Sequence, residues 1–320
     1  MENNTQLKEM IRSMVIDILQ GQKQEMASSQ PIKQAPRGQV EPGVFDTVDE
    51  AIQAAKAAQA RFEDCTLATR EKVIADIRAA MRPRVQELAQ KTVDETGMGR
   101  VADKVLKLNL TLDKTPGVED LVTECETGDN GMTLYELSAY GVIGAVTPST
   151  NPAETLICNT IGMLAAGNAV FFSVHPGAKH LSRLLVSELN QIIAKSIGIE
   201  NLIVTLREPS IESAQEMMLH PDVSLLVVTG GPGVVKQALQ SGKKVIGAGA
   251  GNPPAFVDET ADIKKAAQDI VLGASLDNNI LCIAEKSVVA MRQIEPQLVQ
   301  EMVKAGCVLL ENQQDIQRLV

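Results

Sequence analysis

The sequence predicts an α/β fold built on a parallel β-sheet. From Gly141 onward, short apolar segments alternate with helical ones: GVIGAVTP, a helix to about residue 166, NAVFFSV, a helix to about residue 195, NLIVTL, a helix around 211–219, and SLLVVTGG. This alternation is typical of β-α-β units, whose strands run parallel. Ligands of such sheets bind at the carboxyl ends of the strands.

The composition favours a small-molecule ligand over nucleic acid. The 320 residues are 44% hydrophobic and 22% charged, which is enough for about two domains with cores of their own. A net charge of −10 and only 2% aromatic residues disfavour both a basic nucleic-acid surface and a base-stacking platform. The five cysteines form no C-x-x-C pair, so we expect neither a disulfide framework nor a metal site.

The start of the chain predicts an intracellular protein without a membrane span. No basic segment followed by an apolar core, which would indicate a secretory signal, follows Met1. The most apolar stretch, residues 156–172, is interrupted by Asn159, Gly162, Gly167 and Asn168. It is therefore interpreted as a buried helix followed by a strand.

Residues 1–45 are predicted to form a helix and a tether. Apolar residues recur every three or four positions over residues 5–20, which predicts an amphipathic helix. Residues 21–45 are rich in Gln, Ser, Pro and Gly and predict a flexible linker. The helix either docks on a partner through its apolar stripe or folds back on its own domain. Beyond the linker we predict a nucleotide-binding domain over residues 46–250 and a partial second domain over residues 251–320.

Two further features precede the predicted sheet. Residues 48–96 are Ala-rich and helical, with a break at Pro83 and stops at Gly97 and Gly99. Residues 120–140 alternate apolar and polar side chains around Asn130-Gly131, a favoured tight-turn pair. This segment predicts a hairpin arm that exchanges between subunits.

Four loops at predicted strand ends are candidates for ligand binding. They contain glycines that permit close backbone approach, and they precede helices whose first amides can bind phosphate. Any one loop alone is better explained as a plain turn, and no G-x-G-x-x-G fingerprint follows an N-terminal strand. Together the loops predict a dinucleotide-sized site; they are Thr147-Pro148-Ser149-Thr150-Asn151-Pro152, Ser173-Val174-His175-Pro176-Gly177-Ala178-Lys179, Thr229-Gly230-Gly231-Pro232-Gly233 and Gly247-Ala248-Gly249-Ala250-Gly251-Asn252.

Cys282 follows a polar Asp277-Asn278-Asn279 turn and lies between Leu281 and Ile283. Considered alone, a cysteine in such a setting is more often a buried small hydrophobe than a nucleophile. The other four cysteines are interpreted in the same way.

A resemblance to a known family implies an activity and residue roles that the spacing of residues cannot indicate. From about Ala51 the chain resembles the aldehyde dehydrogenase superfamily, and within it the CoA-acylating enzymes of bacterial microcompartments, of the propionaldehyde type. The segments that carry the resemblance are ETGMGR (95–100), TPGVEDL (115–121), TGDNGM (127–132), PSTNP (148–152), LAAGN (164–168), HPGAK (175–179), VVTGGPGVV (227–235), SGKKVIGAGAGNPP (241–254), VDETAD (257–262) and CIAEKS (282–287).

The resemblance implies an aldehyde dehydrogenase-like fold with a Rossmann-type parallel sheet and an incomplete α/β catalytic domain. It implies oxidation of a short-chain aldehyde, propanal or acetaldehyde, with NAD and coenzyme A to acyl-CoA and NADH. Cys282 corresponds to the nucleophile that forms a thioester, and Asn151 to the side-chain amide of the oxyanion hole, with the Cys282 amide as the second donor.

The resemblance also implies a set of cofactor-binding residues. His175 and the residues after it occupy the place of the adenosine ribose contact, Gly249 and Ala250 lie near the nicotinamide, and the loop at Thr229 lies against the pyrophosphate. The full set is Thr147, Pro148, Ser149, His175, Pro176, Gly177, Ala178, Thr229, Gly230, Gly231, Val234, Gly249 and Ala250.

One departure from hydrolytic relatives predicts the acyl acceptor. Those relatives usually have E-L-G-G-K where this chain has Ala248-Gly249-Ala250-Gly251-Asn252, so the Glu that activates water is absent. A thioester without such a base should persist until another thiol attacks it. A hydrolytic enzyme that releases free acid is therefore disfavoured.

The resemblance implies partners and a location as well. The N-terminal helix resembles an encapsulation peptide, which implies docking of residues 5–20 on a shell protein and a place in the microcompartment lumen. We expect a homo-oligomer for the complete enzyme. Family members continue well beyond the point that corresponds to Val320, so we expect exposed apolar surface and unpaired strands around residues 283–289. An alternative is an inactive remnant that only docks on the shell.

Overall fold

The computed structural model describes residues 41–319. The predicted targeting helix at residues 5–20, and the predicted linker as far as residue 40, lie outside this range. The predicted linker ended at residue 45, and this boundary was wrong, because Val44 and Phe45 form a strand that pairs with the sheet. Val44 is buried and Phe45 is partly buried, so both residues belong to the domain that contains the main sheet.

The described chain opens with a short strand and four helices. Thr47 and Thr66 cap the first two helices by accepting hydrogen bonds from the amides of Glu50 and Thr69. A 3₁₀ turn containing Pro83 separates the second and third helices, as the sequence predicts. These elements are β1 (Val44–Phe45), α1 (Val48–Glu63), α2 (Leu67–Met81), α3 (Val85–Thr96) and α4 (Val101–Lys114). Helix α4 was not predicted from the sequence.

An antiparallel hairpin follows, where the sequence predicts one. Its strands are β2 (Glu124–Gly128) and β3 (Gly131–Tyr135), and Gly128 pairs with Gly131 across the turn. Every residue of both strands is exposed. Exchange of this arm between subunits remains a prediction.

The main sheet has six strands, all parallel. After the hairpin come β4 (Val142–Val146), α5 (Pro152–Ala165), β5 (Ala169–Ser173), α6 (Lys179–Ile197), β6 (Ile203–Leu206), α7 (Ile211–Leu219), β7 (Val223–Thr229), α8 (Pro232–Gln240) and β8 (Lys244–Ala248). The strand order is β1-β6-β5-β4-β7-β8. The chain moves outward from β4 through β5 to β6 and then returns to the other side of β4, which creates a switch point there. The predicted α/β fold with a parallel sheet is confirmed.

One large apolar core holds this sheet and its helices together. Phe62, Leu156, Phe171, Phe172 and Leu185 are all buried in it. Strands β4 and β5 are buried along almost their whole length, as expected for strands covered by helices on both faces. Such a core places the loops at the carboxyl edge on rigid supports.

Residues 254–319 form a smaller layer. Its elements are β9 (Pro254–Val257), α9 (Ile263–Ser275), β10 (Ser287–Ala290), α10 (Glu295–Lys304) and α11 (Gln313–Leu319). Strands β9 and β10 pair in parallel, and a core of Val257, Ala267, Ile270 and Leu298 lies under them. Phe256 and Ile283 are about three-quarters exposed, in agreement with the predicted apolar surface, although β10 does find one partner strand. No helix described between residues 41 and 319 is long and apolar enough to cross a membrane.

Candidate active site

A cleft of about 340 Å³ lies at the carboxyl edge of the main sheet, at the switch point. The loops that follow β4, β5, β7 and β8 form its walls, and the turn before β10 closes it. The lining residues are Pro148, Ser149, Thr150, Asn151, His175, Thr229, Gly230, Gly231, Gly249, Ala250, Gly251, Ile280, Leu281, Cys282 and Lys286. Ten of the fifteen residues selected from the sequence therefore meet in one cleft.

Five selected residues do not line this cleft, and contact between them and a cofactor stays a prediction. Thr147 is buried, and its amide donates to the Ser173 carbonyl, so it supports the loop from beneath. Pro176, Gly177 and Ala178 form a 3₁₀ turn that leads away into α6. The fifth residue is Val234. A Cβ atom built on Gly230 would lie 2.7 Å from its side chain, so Val234 packs under the loop.

Cys282 lies in a turn on the cleft wall, and its side chain is exposed. Its carbonyl is so close to Gly251 that any Cβ atom at position 251 would collide with it. Lys286 closes the same turn by donating to the carbonyl oxygens of Leu281 at 2.8 Å and Ala284 at 3.2 Å. Within residues 41–319 the amide of Cys282 donates to no protein acceptor. The thiol is thus open to a ligand, and the amide is engaged by no acceptor of the described residues.

The remaining cysteines are not in this cleft. Cys125 and Cys158 are exposed, so the interpretation of these two as buried small hydrophobes was wrong. Cys125 lies on the hairpin, and Cys158 lies on the outer face of α5. Cys65 and Cys307 are partly buried.

Asn151 is the residue at the start of α5, with φ −140° and ψ 56°. Its side chain does not cap the helix. The amide oxygen Oδ1 accepts a hydrogen bond from the Lys107 ammonium, and Nδ2 donates to Thr150 Oγ1 at 3.2 Å. One hydrogen of the Nδ2 group therefore remains for a ligand.

A buried ionic network lies beneath Asn151. The Lys107 ammonium bonds both Asn151 Oδ1 and Asp277 Oδ2, and lies 3.2 Å from Glu154 Oε1. The Lys104 ammonium lies 3.0 Å from Asp277 Oδ2 and donates to the carbonyl of Thr150. Side chains of Lys104 and Asp277 are fully buried, and those of Lys107 and Glu154 nearly so.

Burial and pairing shift the pKa values inside this network. Desolvation lowers the pKa of Lys104, with the nearby Lys107 charge acting in the same direction, although the carboxylates of Glu154 and Asp277 oppose this. Burial alone would raise the pKa of Asp277, but hydrogen bonds from Lys107, the Arg100 amide and Lys104 lower it below the ordinary value. Asp277 is therefore held as a carboxylate.

The turn that carries Asp277 has an unusual backbone. Asp277, Asn278 and Asn279 all have positive φ, at 50°, 56° and 60°. Asp and Asn tolerate this left-handed region better than most residues, yet such conformations persist only where surrounding contacts enforce them. Asn279 Nδ2 donates to the carbonyls of Ala274 at 2.6 Å and Glu285 at 3.0 Å. The turn thus holds a fixed shape just before Cys282.

The residues selected from the sequence do not include several residues of this site, although Thr150 and Gly251 belong to the candidate loops. Lys286, Thr150 and Gly251 line the cleft, and Lys104 and Lys107 lie behind it. A signal existed for the two lysines. They occupy the inward positions of α4, where they continue the buried stripe formed by Leu108 and Leu112. A lysine at such a position indicates a buried partner.

The loops are suited to a dinucleotide. Helix α8 begins at Gly231 without a side-chain cap and has Pro232 at its first position, so the amides of its first turn remain for an anion at the cleft wall. By contrast, Glu95 occupies the first amides of α6, accepting from His180 at 2.8 Å and Leu181 at 2.7 Å. Among residues 41–319 no group of three or more His, Cys, Asp or Glu side chains is placed to hold a metal ion.

Fold and cleft together define a Rossmann-type protein with a free cysteine in a cleft at the carboxyl edge of its sheet. The sequence model of the aldehyde dehydrogenase family matches residues 18–311. This chain belongs to that family, and its fold is aldehyde dehydrogenase-like. The predicted resemblance is confirmed.

Two known members of the family are similar to this chain over most of its length. The chain is 49% identical over 308 residues to a propanal dehydrogenase (CoA-propanoylating) of Salmonella typhimurium (strain LT2), an alignment that covers 96% of this chain and 64% of that enzyme. A propionaldehyde dehydrogenase from the Clostridium phytofermentans fucose utilisation bacterial microcompartment has a TM-score of 0.83 and 50% identity, over 86% of this chain and 64% of that one.

A second similar structure holds a ligand. It is a Rhodopseudomonas palustris propionaldehyde dehydrogenase with bound CoA and an acylated cysteine, with a TM-score of 0.84 and 49% identity over 88% of this chain and 64% of that one. The present chain thus spans slightly less than two thirds of the length of these relatives.

Proposed function

We propose that this protein acts in the CoA-acylating oxidation of a short-chain aldehyde, such as propanal or acetaldehyde, to acyl-CoA with reduction of NAD. One observation carries the proposal: an exposed thiol, a free backbone amide and an oriented side-chain amide share one cleft at the switch point of the sheet. The relatives named above, which are propanal and propionaldehyde dehydrogenases, support it.

The chemistry assigned to the chain's own residues is acyl transfer. The Cys282 thiolate attacks the aldehyde carbonyl carbon, and the carbonyl oxygen becomes an oxyanion. The Cys282 amide and Asn151 Nδ2 donate hydrogen bonds to that oxygen, a type of contact worth about 3 to 4 kcal/mol per donor in comparable sites. Loss of a hydride from the same carbon leaves a thioester on Cys282, and the thiolate of coenzyme A then displaces Cys282.

The loops would hold NAD, which supplies the hydride acceptor. Thr229, Gly230 and Gly231, with the first turn of α8, offer backbone amides to the pyrophosphate. Gly249 and Ala250 leave room beside Cys282 for a flat ring. His175, which lines the same cleft, is proposed to contact a ribose of the cofactor.

Transfer to coenzyme A rather than water is supported by the lining of the cleft. Among the lining residues of the described chain there is no carboxylate. Asp277 and Glu154 lie behind the cleft and are paired with lysines. Ala248, which stands where hydrolytic relatives have the Glu, offers no base that could activate water, so the thioester would await a thiol.

Further proposals concern partners and organisation. Residues 5–20 are proposed to dock on a shell protein, which would place the enzyme in the lumen of a microcompartment. The exposed hairpin is proposed as a subunit contact in a homo-oligomer. We retain the division into a nucleotide-binding part, residues 46–250, and a partial catalytic part, residues 251–320. The inactive-remnant alternative is disfavoured, because the chemical groups of the cleft are assembled.

The test measures NADH formation by the purified protein with propanal, NAD and coenzyme A. Cys282→Ala should abolish the CoA-dependent rate, and Cys158→Ala, which removes an exposed thiol outside the cleft, should leave it unchanged. Mass analysis after incubation with propanoyl-CoA should find one propanoyl group on the Cys282 peptide. Free propanoate formed without coenzyme A, or acylation at another cysteine, would count against the proposal.

A further inference from the structure

We infer that Lys107 is a positioning residue for acyl transfer: it orients the Asn151 amide toward the cleft and, through Asp277, ties that amide to the turn that carries Cys282. This inference rests on the proposed function. It concerns a side chain that touches neither substrate nor cofactor, and it acts through the two hydrogen-bond donors of the cleft.

The orientation follows from the chemistry of the two side chains. An Asn amide has an oxygen that only accepts and an NH₂ group that only donates, and the two ends have nearly the same shape. A lysine ammonium has three donors and no acceptor. Because Lys107 bonds the Asn151 side chain from below, the oxygen must face Lys107, and the NH₂ group must face the other way.

The remaining Lys107 contacts fix its own position. Its ammonium also bonds Asp277 Oδ2 and lies against Glu154, so its charge is compensated by two carboxylates. Glu154 belongs to the first turn of α5, which Asn151 begins. The ammonium is therefore held between the helix that presents Asn151 and the turn that leads to Cys282.

Asp277 connects Lys107, and through it Asn151, to the turn that carries Cys282. Its Oδ1 accepts from the Arg100 amide at 2.9 Å, and its own amide donates to Asp103 Oδ2 at 2.9 Å. Lys104 adds a second bridge, since it contacts Asp277 and donates to the Thr150 carbonyl, next to Asn151. Cys282 lies only five positions after Asp277, so a shift of this turn would move the Cys282 amide relative to Asn151.

A purely stabilising role accounts for this network less well. Replacing buried ion pairs with well-packed apolar side chains of similar volume is often neutral or stabilising. Helix α4 already presents Leu108 and Leu112 on the same face. Charged groups at Lys104 and Lys107 therefore gain little as packing, whereas the donor-only ammonium of Lys107 sets the direction of the Asn151 amide.

The test compares two reactions of Cys282. Acylation by p-nitrophenyl acetate forms an oxyanion at the attacked carbonyl and expels nitrophenolate, and it needs neither NAD nor coenzyme A. Alkylation by iodoacetamide displaces iodide without forming an oxyanion. Both are measured on the full chain for the wild type, Lys107→Met, Asn151→Ala and the double variant. Lys114→Met, an exposed lysine on the same helix, is the matched control.

We expect Lys107→Met to slow acylation at least tenfold and at most by the loss seen in Asn151→Ala, which should be about 10²- to 10³-fold for one oxyanion donor. Alkylation should change less than about twofold in every variant, and Lys114→Met should match the wild type in both reactions. In the Asn151→Ala background, Lys107→Met should have almost no further effect on acylation, because the group it orients is gone.

The outcomes separate the inference from the function. Multiplicative losses in the double variant, or equal losses of acylation and alkylation in Lys107→Met, would assign Lys107 a structural role and overturn the inference alone. Absence of Cys282 acylation in a wild type that is still alkylated would overturn the proposed function and the inference together. If Lys107→Met does not fold, Lys107→Gln is measured in the same cycle, since Gln can donate or accept and no longer forces the amide direction.

Discussion

Gly251→Ala tests whether the position of the Cys282 turn sets its reactivity. A Cβ atom at position 251 would lie 2.9 Å from the Cys282 carbonyl carbon and closer still to its oxygen. Restoring an acceptable contact requires the two backbone segments to separate by about 1 Å, and no flexible side chain is present to absorb the shift. The backbone angles of Gly251 are themselves open to alanine, so the clash is the only cause.

A 1 Å misplacement in an active site costs about 10²-fold in rate, which is roughly 2.7 kcal/mol of activation free energy. We therefore expect the nitrophenolate burst of Gly251→Ala to slow about a hundredfold. Iodoacetamide should still alkylate Cys282 at nearly the wild-type rate, because that reaction needs no oxyanion donors.

The matched control is Gly162→Ala. Gly162 lies in the exposed interior of α5, and a Cβ atom there meets nothing within 4 Å. Its acylation rate should equal the wild-type rate, and it should gain about 0.5 to 1 kcal/mol of stability. An acylation rate in Gly251→Ala within about twofold of the wild type would refute the argument that close backbone contact positions Cys282.

Three further predictions concern stability. Pairing lowers the pKa of Asp277, so the stabilising contribution of its carboxylate is complete above about pH 4 and is lost as the pH falls through the folded-state pKa. Asp277→Asn should therefore lower the free energy of unfolding by about 3 kcal/mol at neutral pH. Urea titrations should show that this difference between variant and wild type shrinks in acid, and a difference that does not change with pH would contradict the assignment. Glu95→Ala removes the acceptor of the His180 and Leu181 amides, which belong to the second and third residues of α6, and should cost about 1 to 2 kcal/mol in urea unfolding. A loss below about 0.3 kcal/mol would mean that water replaces the Glu95 carboxylate. Gly43 has a φ of 76°, and a Cβ atom there would clash with Asn190 and with the Ile203 carbonyl. Gly43→Ala should therefore lower the free energy of unfolding by at least about 1 to 3 kcal/mol. An unchanged thermal midpoint would show that β1 moves to relieve the clash.

Local patterns were sufficient for much of the fold. The alternation of apolar strands and helices after Gly141 predicted four of the six main-sheet strands, β4 to β7, and Asn130-Gly131 predicted the hairpin turn. Strand β1 escaped detection, because two residues beside Pro42 carry no periodicity. Its strand character depends on β6, which lies far along the chain. Helix α4 was left unassigned, because its buried stripe includes two lysines that resemble a solvated face until their partners are known.

The candidate site could likewise be predicted only in part from the sequence. Glycine-rich loops at strand ends, the resemblance around PSTNP and CIAEKS, and the rule for parallel sheets were enough to select ten cleft residues. Loop membership could not distinguish residues that face the cleft from those that support it. Thr147 and Val234 are adjacent to cleft residues in sequence or space, but they point into the packing below.

The sequence by itself determined the fold class, the family and the nucleophile candidate, because these depend on the order and local periodicity of residues. Only the tertiary structure decided how Asn151 is oriented and what holds Cys282 in place. The Lys107–Asp277 pair and the Gly251–Cys282 contact join residues far apart in the chain. No local signal records such a pairing, since it exists only after the sheet and α4 have brought the segments together.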